Sequence, residues 1–152
     1  ALMNALHRSL IVALAVVGAS HIAIARGADQ TIIAKGRCQM TVPADWTADS
    51  LLKTSVTAPD KSASAVLSSP NPQFTLAEVK PIVQQSLKPK KSIEDSAHRL
   101  WYAYETNYGQ GTGWYVGVPG KDGHICAAQI SFKTAAQADL ARHVAMSIRP
   151  TP

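Results

Sequence analysis

The sequence predicts an α+β fold in which an antiparallel β-sheet is covered by two main helices, after an N-terminal signal peptide. Three observations support this fold class: several segments alternate apolar and polar residues, two helical segments open with capping sequences, and the first residues have the layout of an export signal. The chain has 152 residues, of which 46% are hydrophobic and 16% charged. This composition is typical of one globular domain, and it excludes a disordered tail or a disulfide-dense miniprotein.

Residues 1–25 have the three parts of a secretory signal peptide. Arg8 gives a basic start, the run from Leu10 to Ala19 is apolar, and Ala23 and Ala25 are small residues at a cleavage site. The alternative is an uncleaved membrane anchor, but a spanning helix needs about 20 apolar residues. We therefore expect residues 1–25 to be removed and the protein to be exported, to the periplasm or out of the cell.

Export changes the interpretation of the two cysteines. Cys38 and Cys126 are the two cysteines in the sequence, and an isolated pair in an oxidising compartment is most simply a disulfide bond. We therefore expect a Cys38–Cys126 disulfide.

The first half of the mature chain predicts a strand and then a hairpin. Residues 26–36 are small and polar and are expected to be irregular, whereas residues 37–42 alternate like a half-buried strand that ends at Pro43. Residues 53–58 and 63–69 are expected to pair around a Pro-Asp-Lys turn.

Both helices are predicted from capping boxes. Thr75 and Glu78 open the first helix, in which Pro81 is expected to cause a bend or a late start. Thr134 and Gln137 open the second helix in the same way.

Three more strands are expected between the helices. They cover residues 97–106, 113–119 and 124–133, and the segments 107–112 and 120–123 have the glycine-rich chemistry of hairpin turns. With no repeat or linker, residues 31–150 are predicted to form a single domain.

Three segments carry a resemblance to a known family. They are Cys-Gln-Met-Thr-Val-Pro-x-x-Trp from Cys38, Ala-Pro-Asp-Lys from Ala58, and Cys-Ala-Ala-Gln-Ile-Ser-Phe from Cys126 with the helix after it. Their order and spacing resemble small exported bacterial proteins of the PsbP-like and DcrB-like α/β/α sandwich superfamily over about residues 31–150. The resemblance implies a non-enzymatic binding or accessory scaffold, and no functional residue is carried over from it.

No catalytic or metal motif is predicted. His124 and Cys126 share a strand face and could hold a metal together, but the expected disulfide uses Cys126. Glu94 and Asp95 are adjacent in a polar run that is expected to be a solvated loop. The glycines of residues 109–113 precede a strand, so they favour a hairpin turn over a phosphate-binding loop.

Two features remain as a candidate binding surface. Six aromatic residues lie close together in the sequence: Trp101, Tyr102, Tyr104, Tyr108, Trp114 and Tyr115. Exposed rings in a hairpin mark recognition surfaces, although cross-strand pairing of the rings would also explain them. Lys88, Lys90 and Lys91 follow the first helix and either meet an acidic partner or simply stabilise the helix end.

The function expected from these features is that of an exported, non-catalytic binding or accessory protein with a protein partner in the cell envelope. One alternative is a carrier of a small ligand or lipid, held between sheet and helices. Another is an enzyme or metal-binding protein that uses His124 and distant acids. No cofactor is expected, and the modest formal charge of +5 argues against nucleic acid. A membrane role is expected only if the signal is not cleaved.

Overall fold

The computed structural model describes residues 28–70, 74–106 and 110–152. The predicted signal peptide, residues 1–25, lies outside them. Within the described residues the fold is α+β, with two antiparallel sheets and two α-helices. In chain order the elements are β1 (Gln30–Ala34), β2 (Cys38–Val42), β3 (Thr47–Ala48), β4 (Ser55–Thr57), β5 (Ala63–Ser68), α1 (Leu76–Leu87), β6 (Lys91–Asp95), β7 (Leu100–Glu105), β8 (Thr112–Pro119), β9 (Ile125–Phe132), α2 (Ala138–Ser147) and β10 (Arg149–Pro150).

The strands form a large sheet and a small one. The large sheet has seven strands in the order β3-β4-β5-β9-β8-β7-β6, and the small sheet has three in the order β1-β2-β10. Every neighbouring pair is antiparallel. The sequence predicts a single sheet, and the difference arises because β2 pairs with β1 and β10 rather than with the hairpins that follow it.

The two faces of the large sheet are covered differently. The small sheet and α2 pack on one face, where Met40, Val116 and Val144 belong to one buried cluster. Helix α1 packs on the other face, where Leu76 and Val79 meet residues of β7, β8 and β9. The core therefore has two layers, and α1 covers only the part of its face nearest β7 and β8.

Most predicted strands are confirmed, with two corrections. Residues 30–34 form β1 rather than an irregular start, because Ile32 and Ala34 alternate inward and are buried. Residues 91–95 form β6 rather than a solvated loop. Strand β6 is polar because it lies at the edge of the large sheet, where one side of the strand faces solvent.

The predicted capping box of α1 is confirmed. The Thr75 hydroxyl accepts from the Glu78 backbone N–H at 3.2 Å, and the Glu78 carboxylate accepts from the Thr75 N–H at 2.8 Å. These two bonds satisfy backbone donors that a helix start leaves unpaired. Pro81 lies within the helix, which nevertheless begins at Leu76, so the late start is wrong.

The second helix begins later than its capping sequence suggests. The Gln137 side-chain oxygen accepts from the backbone N–H of Thr134 at 3.0 Å, as a capping box requires. The residues after Thr134 form a short 3-10 turn, Ala135–Gln137, and α2 starts at Ala138.

The predicted disulfide between Cys38 and Cys126 is confirmed. Both residues are fully buried, and they join β2 of the small sheet to β9 of the large sheet. The bond closes a loop across a sequence separation of 88 residues, so it restricts most of the described chain.

We expect the double variant Cys38→Ala/Cys126→Ala to lose about 4–5 kcal/mol of unfolding free energy, because the open chain regains loop-closure entropy. Urea unfolding followed by circular dichroism measures this loss. The parent protein unfolded with a thiol reductant is the control for the small cavity that alanine leaves. A loss below about 1 kcal/mol would show that sheet packing alone holds the layers together.

Candidate functional site

Four of the six predicted surface aromatics lie in the core. Trp101, Tyr102, Trp114 and Tyr115 are between 2% and 7% exposed. The prediction that they form an exposed binding surface is therefore wrong. Both faces of β7 and β8 are covered at these positions, one by the small sheet and α2 and the other by α1.

The two tryptophans stabilise the face under α2. Trp101 and Trp114 meet edge to face with ring centroids 5.1 Å apart, and Trp114 meets Phe132 at 4.7 Å. The Arg142 guanidinium lies 5.3 Å from the centre of the Trp101 ring. These contacts are the cross-strand packing that the sequence offered as the alternative explanation.

A network of Tyr102, Asp95 and Lys80 links β7, the edge strand β6 and α1. The Tyr102 hydroxyl donates to the Asp95 carboxylate at 2.8 Å, and the Lys80 ammonium lies 2.7 Å from the same carboxylate. The Lys80 and Tyr102 hydrogen bonds lower the pKa of Asp95. Burial, with a further contribution from Asp95, raises the pKa of Tyr102 to about 12. The three groups form a structural network rather than an acid–base site.

We expect this network to make stability depend on pH on the acid side. Because the pKa of folded Asp95 is lowered, its contribution is present above the unfolded pKa and is lost as the pH falls through the folded value. Asp95→Asn should therefore lose less unfolding free energy than the parent as the pH falls from neutral through the acid range in which carboxyl groups are protonated.

Urea unfolding at several pH values measures this difference. Glu105→Gln, which removes an exposed carboxyl outside the Lys80–Asp95–Tyr102 network, is the matched control. Identical acid profiles for Asp95→Asn and the parent would contradict the role of Asp95.

The remaining predicted residues stay near the surface. Tyr104 is half-buried, whereas Lys88, Lys90 and Lys91 are exposed. None of these lysines makes an ion pair with another described residue. Tyr108 lies outside the described residues.

A cleft of about 330 Å³ lies at the end of the large sheet where β5 begins and β9 ends. We call it the polar cleft. Its lining combines two lysines with several hydroxyl and amide groups: Lys61, Ser62, Ala63, Ser64, Thr106, Gln110, Gly111, Ser131, Phe132 and Lys133. It lies beside the loop end of the β7–β8 hairpin, so it adjoins the predicted aromatic segment.

Backbone hydrogen bonds fix the walls of the polar cleft. The Lys133 N–H donates to the Ser62 carbonyl at 3.0 Å, and the Lys61 N–H donates to Ala58 at 2.9 Å. The Asp60 carboxylate accepts from the Ser62 N–H at 3.0 Å. The Ser62 side-chain and backbone hydrogen bonds lower the pKa of Asp60, and the charge of Lys133 adds a smaller lowering effect. The backbone N–H groups of Lys61 and Ser62 are thus hydrogen-bonded within the turn that carries them.

Two lysines and two serines of the polar cleft can donate hydrogen bonds to a ligand. Within the described residues, Lys61 and Lys133 form no ion pair. Ser64 and Ser131 lie directly opposite each other on β5 and β9, and both line the cleft. Ammonium groups and hydroxyls donate hydrogen bonds, so this arrangement suits an anion.

The polar cleft continues onto an uncovered part of the large sheet, which we call the open face. It lies beside α1 and consists of outward side chains of β4, β5 and β9: Ser55, Thr57, Ser64, Val66, Gln129 and Ser131. Gln129 is exposed and the other five are half-buried. The open face therefore combines hydroxyl and amide groups on a sheet fixed from behind by the disulfide.

The other predicted candidates do not converge. His124 contacts the Arg37 guanidinium, and its Nδ1 lies 3.3 Å from the Pro70 carbonyl oxygen. Cys126 is used in the disulfide. The Glu94 carboxylate lies 3.8 Å from the Arg99 guanidinium, whereas the neighbouring Asp95 pairs with Lys80. In the described ranges no three His, Cys, Asp or Glu residues are placed to hold a metal ion.

A second cavity has different chemistry. It measures about 340 Å³, lies at the start of α1, and has a mainly apolar lining that includes Phe74, Leu76, Pro119 and Ile125. His124 also contributes to it. We call it the apolar pocket.

The polar cleft has no local signature in the sequence. Ser64 in β5 and Ser131 in β9 are polar residues at outward positions of their strands. Such residues are common in half-buried strands, so neither serine alone indicates a binding site. Only the pairing of β5 with β9 places them opposite each other, and this register joins distant segments.

Comparison with known proteins assigns no relative. No protein-family model matches the chain, and no curated protein matches it. Of the helices in the described residues, none is both long and apolar enough to span a membrane. Function must therefore be argued from the fold and from the chemistry of its surfaces.

Proposed function

We propose that this chain is an exported, non-catalytic binding protein that holds an anionic partner of the cell envelope at the polar cleft. The observation that carries the proposal is the joint placement of Lys61, Lys133, Ser64 and Ser131 around one cavity. Two ammonium groups without ion partners among the described residues attract an anion, and two opposed hydroxyls can bind it.

The proposal also includes the compartment and the family. The buried disulfide supports an oxidising environment, in agreement with the export signal expected at residues 1–25. The α+β architecture, with helices on both sides of a large antiparallel sheet, is compatible with a PsbP-like sandwich. Scaffold proteins of this kind act through a surface, and the polar cleft is such a surface here.

Charge reversal tests the proposal. We expect Lys61→Glu/Lys133→Glu to weaken binding of the purified protein to isolated cell envelopes at least about tenfold, which corresponds to about 1.4 kcal/mol. Repulsion between the new carboxylates and an anionic partner is the physical reason. Co-sedimentation at several protein concentrations measures the affinity.

Lys35→Glu/Lys121→Glu is the matched control. Lys35, like Lys61, is an exposed turn lysine with positive φ, and the φ values are 51° and 58°. Lys121 is exposed in the β8–β9 turn, at the opposite end of β9 from Lys133. Equal weakening by both double variants would show a general charge effect and contradict the cleft as the binding site.

The apolar pocket supports a second candidate function, the carriage of a small apolar ligand. Its volume of about 340 Å³ suits a small molecule, and Phe74, Leu76 and Ile125 supply apolar walls. Native mass spectrometry of protein purified from its own host should then show a bound mass. Leu76→Trp is expected to fill the pocket and remove that mass, and a ligand-free spectrum for the parent would contradict carriage.

A further inference from the structure

We propose that the partner is an acidic polysaccharide and that it lies across the open face with its carboxylates at the polar cleft. This inference rests on the function proposed above and replaces the protein partner expected from the sequence. It depends on three features that adjoin one another on the large sheet: a flat tyrosine ring, a row of hydroxyls, and the two lysines.

The first feature is the position of Tyr104. Tyr104 belongs to β7, and its ring lies over Gly113 of the neighbouring strand β8. A Cβ atom built on Gly113 would lie 2.3 Å from the Tyr104 ring atom Cζ. The Tyr104 hydroxyl then donates to the Gln129 side-chain oxygen on β9 at 3.2 Å. The ring thus lies along the sheet surface, in space that only glycine leaves open.

A half-buried ring held in this way suits a sugar. One face of the ring rests on Gly113, and Tyr104 also packs against the buried cluster under α1, while part of the residue stays in solvent. A pyranose has an apolar C–H face that can pack on an aromatic ring, and hydroxyls around its edge that need hydrogen-bond partners. Burial raises the pKa of Tyr104.

The second feature is the polar row beside the ring. Thr57, Ser64 and Ser131 follow one another across β4, β5 and β9, and Ser131 pairs with Gly113 beneath the tyrosine. Adjacent strands are about 4.8 Å apart, so the path from Ser64 to Gly113 covers about 10 Å. A surface of this extent suits an oligosaccharide better than a single small anion.

Gln129 adds a directional group to this row. Its side-chain oxygen accepts from Tyr104, and its amide nitrogen has no acceptor among the described residues. The amide can therefore donate to a sugar hydroxyl or ring oxygen. It is exposed, so a ligand on the open face can reach it.

The third feature sets the charge of the ligand. Lys61 and Lys133 flank the end of the row. The Asp60 carboxylate, which accepts a hydrogen bond from the Ser62 N–H, also interacts with the charge of Lys133, so the two lysines outnumber one nearby acid. A polymer that carries carboxylates satisfies the two ammonium groups while its sugar rings lie on the hydroxyl row. Val66 is an aliphatic side chain of the open face, and the other five residues that define this face carry hydroxyl or amide groups, which suit the hydroxyls of a sugar.

The test is titration calorimetry of the purified protein with a short oligogalacturonate, which carries one carboxylate on each sugar. We expect binding that weakens with salt, and about tenfold weaker binding for Tyr104→Leu, which keeps apolar packing but removes the ring. Tyr104→Phe should retain most of the affinity, since the ring remains. Thermal unfolding confirms that each variant is folded.

The lysines are tested separately. Lys61→Met/Lys133→Met should remove the preference for oligogalacturonate over a neutral maltooligosaccharide, whereas Lys35→Met/Lys121→Met should keep it. Gln129→Ala, at an exposed site, provides a variant with little risk to folding. It is expected to weaken binding several-fold, about the effect of losing one neutral hydrogen bond.

Several results would overturn the inference. These are no binding of oligogalacturonate, equal binding of the neutral sugar by the parent, inorganic phosphate binding as tightly as the sugar, or tighter binding of single-stranded DNA. If the cell envelopes still discriminate between the two charge-reversal variants, the proposed function survives with a different anionic partner. If the cell envelopes bind both variants equally, the polar cleft is not the binding site and the proposed function also fails.

Discussion

The packing of the small sheet against the large sheet is the contact on which the rest of the structure depends. Cys38 and Cys126 join the two sheets inside one buried cluster that also contains Met40, Val116 and Val144. On the opposite side of the large sheet, α1 packs against β7, β8 and β9. The open face lies beside α1 on that side, and its outward side chains are half-buried or exposed.

The same arrangement separates structural side chains from available ones. Lys80, Asp95 and Tyr102 contact one another within the fold, between α1 and the edge of the large sheet. At the polar cleft, Lys61 and Lys133 form no ion pair in the part of the chain that the structure describes. Charge and hydroxyl groups left without internal partners on a rigid surface are the physical basis of the binding proposal.

Local patterns were sufficient to predict most elements from the sequence. Alternation predicts β2, turn residues between apolar segments predict β5, β7, β8 and β9, capping boxes predict both helices, and the isolated cysteine pair predicts the disulfide. The edge strands β1 and β6 are harder to predict from the sequence. Their residues are mixed or polar, because each of these strands is covered on one side and faces solvent on the other.

Burial of the aromatic rings could not be predicted from the hairpin alone. Trp114 and Tyr115 are adjacent and face opposite layers, and both are covered because one layer comes from β1, β2 and α2 and the other from α1. The polar cleft depends on the pairing of β5 with β9, two strands that are far apart in the chain. Such long-range register is specified by the packing of the whole fold rather than by a local motif.

The most direct test of the central claim is to map binding on the backbone amides by nuclear magnetic resonance during titration with oligogalacturonate. The account predicts that the perturbed amides cluster at Ser64, Tyr104, Gln129 and Ser131, while those of Phe74 and Ile125 in the apolar pocket stay unchanged. Perturbations centred on the apolar pocket, or spread evenly over exposed lysines at both ends of the sheet, would contradict it.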